Sequence, residues 1–471
     1  MRAATLSSLT AVPPQKFDIV VVGSGPGGYV AAIRAAQLGM KTAVVEKENV
    51  GGRCLNEACI PAKAILRVAE VMEEVRNAKS FGISVNGTEF DYGGATEHRD
   101  KVVKTLTGGV RMLFDKNKIE LFEGFGALTD DGNVRIGAQK DGEELETERV
   151  LLACGSVAKP LLDLKFGKRI LDTAGMWLLD EQPEKLAVIG AGASGTEIAS
   201  AFGRLGTEVV LLEALDQILP LEDEEVSKAC AREIKKQSVR IETGAKVEQA
   251  EASDDGVRVT FNGETEDFDY LVIAAGRAPD VASLGLDDAG VERDDQGLIK
   301  VDGRLRTSRE GVWAIGDMVP GPALAHKASD EGILAVEDAA GNDVHPIDYR
   351  FVPAVTFCHP QVASFGLTEK EARDEGYDVV VGKVPMGAVG APTVYGDRAG
   401  LVKIVGDEKY GELLGAHICS VRAADLIQEL VNAHELEGGY AEVARTIHPH
   451  PAFAETVMEA ARATDGWLIH G

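Results

Sequence analysis

One pattern occurs twice in this chain and constrains its fold more than any other feature. The apolar, β-branched run Phe17-Asp18-Ile19-Val20-Val21-Val22 leads into Gly23-Ser24-Gly25-Pro26-Gly27-Gly28. A helical stretch from Tyr29 to Leu38 stops at Gly39, and a strand from Thr42 to Val45 ends in Glu46. Far downstream, Leu186-Ala187-Val188-Ile189 leads into Gly190-Ala191-Gly192-Ala193-Ser194-Gly195. A helix then ends near Gly206, and a strand from Val209 to Leu212 ends in Glu213. In both copies, 23 positions separate the first glycine from the acid.

Each glycine of such a turn has its own task. The first makes the tight strand-to-helix turn, the second lets the backbone approach a pyrophosphate, and the third lets the helix pack close to the strand. The pyrophosphate rests on the helix N-terminus, where free N–H groups and the helix dipole favour an anion. The acid closing the next strand accepts hydrogen bonds from a ribose. One such motif is weak evidence, since a glycine-rich turn needs no ligand. Two copies, each with its acid in place, predict two dinucleotide sites.

Length and charge narrow the rest. The 471 residues predict about three domains. With 76 acids against 49 bases the net charge is −27, which repels phosphate backbones, so no nucleic-acid partner is expected. The apolar runs are strand-length, so no membrane span is expected either. Met1 to Lys16 reads as a loose leader without the apolar block of a secretory signal. Arg2 is its only arginine, which argues against a transit peptide. Six cysteines are too few for a secreted framework, and a cytoplasmic chain is expected. Cys154, Cys230, Cys358 and Cys419 are scattered and read as small buried residues.

Three further strands are expected to end in small residues: Val150-Leu151-Leu152-Ala153-Cys154-Gly155-Ser156, Leu271-Val272-Ile273-Ala274-Ala275-Gly276-Arg277 and Gly311-Val312-Trp313-Ala314-Ile315-Gly316-Asp317. From about His345 the pattern changes. Strand-like Leu401-Val402-Lys403-Ile404-Val405 and Glu412-Leu413-Leu414-Gly415-Ala416-His417-Ile418 precede an amphipathic helix from Ala423 to His434, which indicates a separate α+β domain.

Two clusters could carry chemistry. In Gly51-Gly52-Arg53-Cys54-Leu55-Asn56-Glu57-Ala58-Cys59-Ile60-Pro61-Ala62-Lys63, two cysteines five positions apart can close a small disulfide loop at the mouth of a helix. Pro61 suits the first helical turn, which places Cys59 near the helix N-terminus, where a thiolate is favoured. Structural cysteines or half a zinc site are the alternatives. Zinc needs two more ligands and there is no second cysteine pair, so a redox disulfide is the preferred reading and no metal is expected. Near the C-terminus stands His448-Pro449-His450-Pro451-Ala452-Phe453-Ala454-Glu455, in which a histidine and a glutamate five residues on can form a base and its orienting carboxylate.

At these residues the sequence resembles the pyridine-nucleotide disulfide oxidoreductase family, from about Phe17 to Leu468. Within that family, Leu324-Ala325-His326-Lys327-Ala328, Glu331-Gly332 and Leu414-Gly415-Ala416-His417-Ile418 are similar to the branch that oxidises dihydrolipoyl groups with NAD. The resemblance implies an α/β fold of two Rossmann-like dinucleotide-binding domains plus a C-terminal α+β dimerisation domain. FAD would take 1–155 and 281–345, NAD would take 156–280, and the dimer interface would take 346–471. Gly23, Gly25, Gly28 and Glu46 would hold the adenosine half of FAD, Asp317 its ribityl chain, and the helix starting near Ala325 would point at the flavin. Gly190, Gly192, Gly195 and Glu213 would hold NAD, with Gly52, Gly155 and Gly276 completing the cofactor-binding set. Lys63 would pair with Glu197 beside the flavin. Cys59 would face the flavin, Cys54 would exchange with substrate, and His450, oriented by Glu455, would be the base. The implied partners are a second copy of the chain and the lipoyl group of a 2-oxoacid dehydrogenase or glycine cleavage complex.

Arg53, Glu57-Ala58, Ala62 and Ala452-Phe453 depart from the family pattern, and they bear on the disulfide substrate and its potential rather than on the reaction class. The closest rival is an NADPH-dependent reductase of glutathione or a similar disulfide. Glu213-Ala214-Leu215-Asp216 is acidic where a 2′-phosphate would need arginine, which disfavours it. Mercuric reductase is disfavoured because the tail lacks a cysteine pair. A transhydrogenase would not need Cys54, and a scaffold that merely binds a lipoylated partner would need neither thiols nor base.

Overall fold

A computed structural model describes residues 15–137 and 142–471. Most of the expected leader lies outside the described residues. Its end does not, because Gln15–Phe17 is a strand paired in parallel with Glu143–Thr147. The chain groups into two compact units, one of 1–54, 106–157 and 278–347, the other of 55–105, 158–277 and 348–471.

The first unit is built on a five-stranded parallel sheet in the order Val312–Ala314, Val150–Leu152, Ile19–Val22, Thr42–Glu46, Glu120–Glu123. Ile19–Val22 and Thr42–Glu46 are buried at every position, as parallel strands covered on both faces must be. The helix Pro26–Gln37 opens with proline, whose missing N–H costs nothing in a first turn. It packs against the helix Ala325–Ala339 so closely that a Cβ on Gly332 would stand 2.6 Å from the Gly27 carbonyl oxygen.

The second unit repeats the plan. Its parallel sheet runs Ile170–Asp172, Tyr270–Ile273, Lys185–Ile189, Glu208–Leu212, Val239–Glu242. The helix Ala193–Leu205 follows the second glycine turn and ends on Gly206, whose φ of 110° only glycine adopts readily. The C-terminal part is an antiparallel sheet in the order Ala354–Thr356, Gln361–Gly366, Glu412–Ser420, Leu401–Asp407, Val379–Pro385. The helices Ala423–Glu435 and Glu455–Thr464 bury Leu426, Ile427, Val457 and Ala460 in the same core as its Ile404 and Ile418. This is the α+β part expected beyond His345. No helix among the described residues is long and apolar enough to cross a membrane.

Three strands are shorter than their sequence suggested. Val150–Leu152, Tyr270–Ile273 and Val312–Ala314 stop before the small residues that follow them. Gly155, Gly276 and Gly316 have φ of 74°, 133° and 74°, a left-handed backbone that no strand accommodates.

Candidate active site

The two glycine turns have the same internal geometry. Gly23 and Gly190 take φ of 101° and 96° to turn the chain out of the strand. A Cβ on Gly28 would collide with the Gly23 carbonyl, and one on Gly195 with the Gly190 carbonyl, so helix and strand meet only through glycine. At the middle glycines, Gly25 and Gly192, an added Cβ would meet nothing within 4 Å. These two are the N-cap residues of Pro26–Gln37 and Ala193–Leu205, and neither helix has a side-chain cap. The first-turn amides thus open onto a smooth backbone cradle, which fits a dinucleotide pyrophosphate.

The two acids share a second role that their position in the motif did not disclose. Glu46 Oε2 accepts the Ser24 amide at 2.8 Å and the Ser24 hydroxyl at 2.6 Å, and Oε1 accepts the Glu48 amide at 2.9 Å. Glu213 Oε2 accepts the Ala191 amide at 2.7 Å and Oε1 the Leu215 amide at 2.9 Å. Each carboxylate ties the residue after the first glycine to the chain beyond the second strand. Glu46 Oε1 and both Glu213 oxygens accept one hydrogen bond each here and keep lone-pair capacity for a ribose hydroxyl.

Asp317 sits in the 3-10 turn Gly316–Met318 and accepts a hydrogen bond from the Ser156 hydroxyl. A buried ion pair fixes this turn. Lys327 and Glu331 are fully buried and 2.9 Å apart. Lys327 Nζ donates to the Gly316 carbonyl at 3.0 Å, and Glu331 Oε2 accepts the Gly316 amide at 2.7 Å. Both belong to the helix that begins at Ala325, so helix and turn are held in one register. In sequence both enter only as carriers of the family resemblance; their spacing of four is the signal for a helical charge pair, while the backbone group they grip has none.

The cysteine segment is more helical than a plain loop. Cys54 lies in the short helix Gly52–Asn56, and Cys59 is the first residue of Cys59–Asn77, with Pro61 still inside the first turn. Both thiols are partly exposed. Gly52, at φ 59°, packs so tightly that an added Cβ would stand 2.6 Å from Gly25 Cα, and the Gly51 amide donates to Ser24 Oγ at 3.1 Å. The start of the redox segment is thereby anchored to the first glycine turn. One turn past Cys59, Lys63 donates to both carboxylate oxygens of Glu197, each at 2.9 Å. Glu197 Oε1 also accepts the Phe357 amide at 2.8 Å, and Lys63 lies over the Phe357 ring. Phe357 was not singled out from sequence, since a lone aromatic beyond a short strand carries no signal.

His450 and Glu455 do meet. His450 Nδ1 is 2.8 Å from Glu455 Oε1, and the Ala452 amide donates to Oε2 at 2.8 Å. Burial alone would raise the Glu455 pKa, but the bonds from His450 and Ala452 outweigh it and hold this carboxyl below its ordinary value. The His450 side chain is 75% exposed in the single chain, so the ring is presented outward by its carboxylate. Of the four remaining cysteines, Cys230, Cys358 and Cys419 are buried, and Cys154 is partly exposed.

Comparison with known proteins finds similarity along nearly the whole chain. The model of the pyridine nucleotide-disulphide oxidoreductase family matches residues 17–332, and that of its dimerisation domain matches 352–461. The dihydrolipoyl dehydrogenase of Geobacillus stearothermophilus is 41% identical over 459 residues, covering 96% of this chain and 97% of the relative. That of Bacillus subtilis (strain 168) is 41% identical over 464 residues, covering 97% and 98%. Among solved structures, LpdA from Mycobacterium tuberculosis superposes with a TM-score of 0.88 at 25% identity, covering 95% of this chain and 99% of that one. The HOCl-induced flavoprotein disulfide reductase RclA from Escherichia coli gives 0.84 at 27%, covering 93% and 98%.

Proposed function

This chain belongs to the pyridine nucleotide-disulphide oxidoreductase family, and from that premise we propose that it oxidises dihydrolipoyl groups to the lipoyl disulfide with NAD as acceptor. The observation that carries this reading is the 41% identity to dihydrolipoyl dehydrogenases, sustained over 96% of the chain.

In the proposed reaction His450 takes a proton from one substrate thiol. Glu455 bonded to Nδ1 fixes that nitrogen as the N–H donor and leaves Nε2 as the basic atom. The substrate thiolate attacks Cys54 Sγ, the Cys54–Cys59 bond breaks, and Cys59 leaves as a thiolate at its helix N-terminus. The second substrate thiol then attacks the mixed disulfide, releasing cyclic lipoyl disulfide and leaving Cys54 reduced. FAD, when bound, supplies the two-electron relay between this thiol pair and NAD. Gly23, Gly25, Gly28, Glu46, Gly52, Gly155 and Asp317 would hold it, with the start of the helix at Ala325 and the Lys63–Glu197 pair alongside. Gly190, Gly192, Gly195, Glu213 and Gly276 would hold NAD. The domain division is 1–155 and 281–345 for FAD, 156–280 for NAD and 346–471 for the dimer interface. The enzyme would act in the cytoplasm as a homodimer on a lipoyl group carried by a 2-oxoacid dehydrogenase or glycine cleavage complex.

The test is an assay of the purified protein with dihydrolipoamide and with oxidised glutathione, each paired with NAD and NADP nucleotides. Turnover only with dihydrolipoamide and NAD is expected. Preferential reduction of glutathione by NADPH would replace this reading with the rival one.

A further inference from the structure

The stretch that carries His450 has no regular structure to hold it. Residues 446–454 lie between the helices Tyr440–Arg445 and Glu455–Thr464, and Thr446, Ile447, Pro449 and His450 are all exposed. Apolar burial therefore does not place 446–450, whereas Phe453 and Ala454 further along pack against the core of the C-terminal sheet. Within 446–450 the side chain that turns inward is that of His448, 4% exposed.

Both ring nitrogens of His448 face acceptors that have no proton to give. Nδ1 is 2.9 Å from the Thr446 carbonyl oxygen, and Nε2 is 2.6 Å from Glu429 Oε1 on the helix Ala423–Glu435. A neutral imidazole owns a single N–H, so one of these contacts would set lone pair against lone pair. Only the imidazolium satisfies both, and the Glu429 bond is then charge-assisted. The electrostatic surroundings agree. The hydrogen bond to Glu429 is the largest influence and raises the His448 pKa. Burial opposes it, the Thr446 carbonyl reinforces it, and Arg462 on Glu455–Thr464 opposes it.

We propose that His448 is a positioning residue for His450, a doubly hydrogen-bonded clip that fastens the stretch 446–450 to the helix Ala423–Glu435 and so fixes where the base stands. The proposal deepens the reading of His450 as base and rests on it. Glu455 orients the His450 ring from the C-terminal side, and His448 fixes the backbone from the N-terminal side. Two independent attachments on either side of the base define its position where one would leave a hinge.

The experiment uses the intact FAD-loaded enzyme, with histidine labelled in its ring nitrogens. In the wild type, NMR should show both His448 nitrogens protonated at pH 7, the His448→Gln spectrum serving for assignment. His448→Gln should lower dihydrolipoamide turnover roughly ten- to hundred-fold, the range for loss of a charge-assisted hydrogen bond. Ferricyanide reduction by NADH, which needs no thiol base, should be unchanged. Glu429→Gln keeps an acceptor but removes the charge, so the His448 pKa should fall toward its ordinary value of about 6.5. Relative to the wild type, turnover of that variant should fall as the pH rises through that value. An unprotonated His448 nitrogen at pH 7, unchanged dihydrolipoamide turnover in His448→Gln, or equal loss of both activities would each overturn the proposal. His450→Ala separates the two readings. If it still turns over dihydrolipoamide, His450 is not the base, whatever the protonation state of His448.

Discussion

Glu213 accepts the Ala191 amide at 2.7 Å and so closes the mouth of its own glycine turn. Glu46 does the same for Ser24 in the first copy. The acid that ends the second strand therefore serves the fold as well as the ribose. Replacing Glu213 with arginine should weaken NAD use by about one to two orders of magnitude, corresponding to roughly 1.5–3 kcal/mol for a lost charged hydrogen-bond set. NADP use should improve. The same change leaves the buried Ala191 amide without its acceptor, so unfolding should be easier by about 1–3 kcal/mol. Glu213→Gln retains an acceptor oxygen and should lose less of both. KM ratios for the two nucleotides and thermal denaturation check the pair of effects. An unchanged ratio would remove Glu213 from the nucleotide site.

Lys327 and Glu331 offer a test of the turn that carries Asp317. Both side chains are wholly buried, so removing one partner strands the other charge in a dry environment. Lys327→Met should destabilise the protein by about 3–5 kcal/mol, the usual cost of breaking a buried pair from one side. Adding Glu331→Met should recover part of the loss, because no charge is then left unpaired. The Gly316 amide and carbonyl still lose their partners, so recovery should be incomplete. Denaturant titration of the two variants gives the comparison. Additive losses in the double variant would mean the two side chains act separately.

Much of this architecture was legible in the sequence because it repeats. The glycine spacing and its acid specify strand, turn, helix and strand twice, and hydrophobic periodicity carries the rest of each parallel sheet. The Lys63–Glu197 and His450–Glu455 pairs were reached only through resemblance and pattern, and the structure brings each together. What stayed hidden was of two kinds. Strand ends were read too long because Gly155, Gly276 and Gly316 continue an apolar run while adopting a backbone that ends it. The bonds from Glu46, Glu213, Lys327, Glu331 and His448 to backbone groups were invisible because a main-chain amide or carbonyl has no letter in the sequence. The helix around Cys54 was missed for a related reason, since five residues give too few turns for periodicity to register.

The Glu455 carboxyl sets a pH dependence whose sign follows from its depressed pKa. Burial works against the charged form, but the His450 and Ala452 bonds prevail. A carboxyl whose folded-state pKa lies below its unfolded value contributes stability that is complete above the unfolded value, about 4.3 for glutamate, and is lost as the pH falls through the folded value. Glu455→Gln removes this contribution. Its melting temperature should drop less than that of the wild type between pH 5 and pH 3, while dihydrolipoamide turnover at pH 7 should fall because His450 loses its charged orienter. Superimposable acid limbs for the two proteins would show that Glu455 is not linked to folding in this range.

The last expectation concerns how a complete site is assembled. The redox thiols lie near residue 55 and the base near residue 450, and the chain carries a dimerisation domain. In the proposed homodimer a site would be made from Cys54 and Cys59 of one chain with His450 and Glu455 of the other, and a twofold axis would make both sites equivalent. Cys54→Ser and His450→Ala should each be inactive alone. When the two are unfolded and refolded together, a mixed dimer places both lesions in one site and leaves the other with an intact thiol pair and an intact base. Random pairing makes half the dimers mixed, each with one good site of two, so activity should return to about a quarter of wild type. Tagging the variants differently allows the mixed dimer to be isolated, and its activity per dimer should be about half that of the wild type on the same symmetry argument. A site completed within one chain predicts no recovery at any mixing ratio. Inactive mixed dimers, once isolated and shown to be folded and flavin-loaded, would refute the shared site.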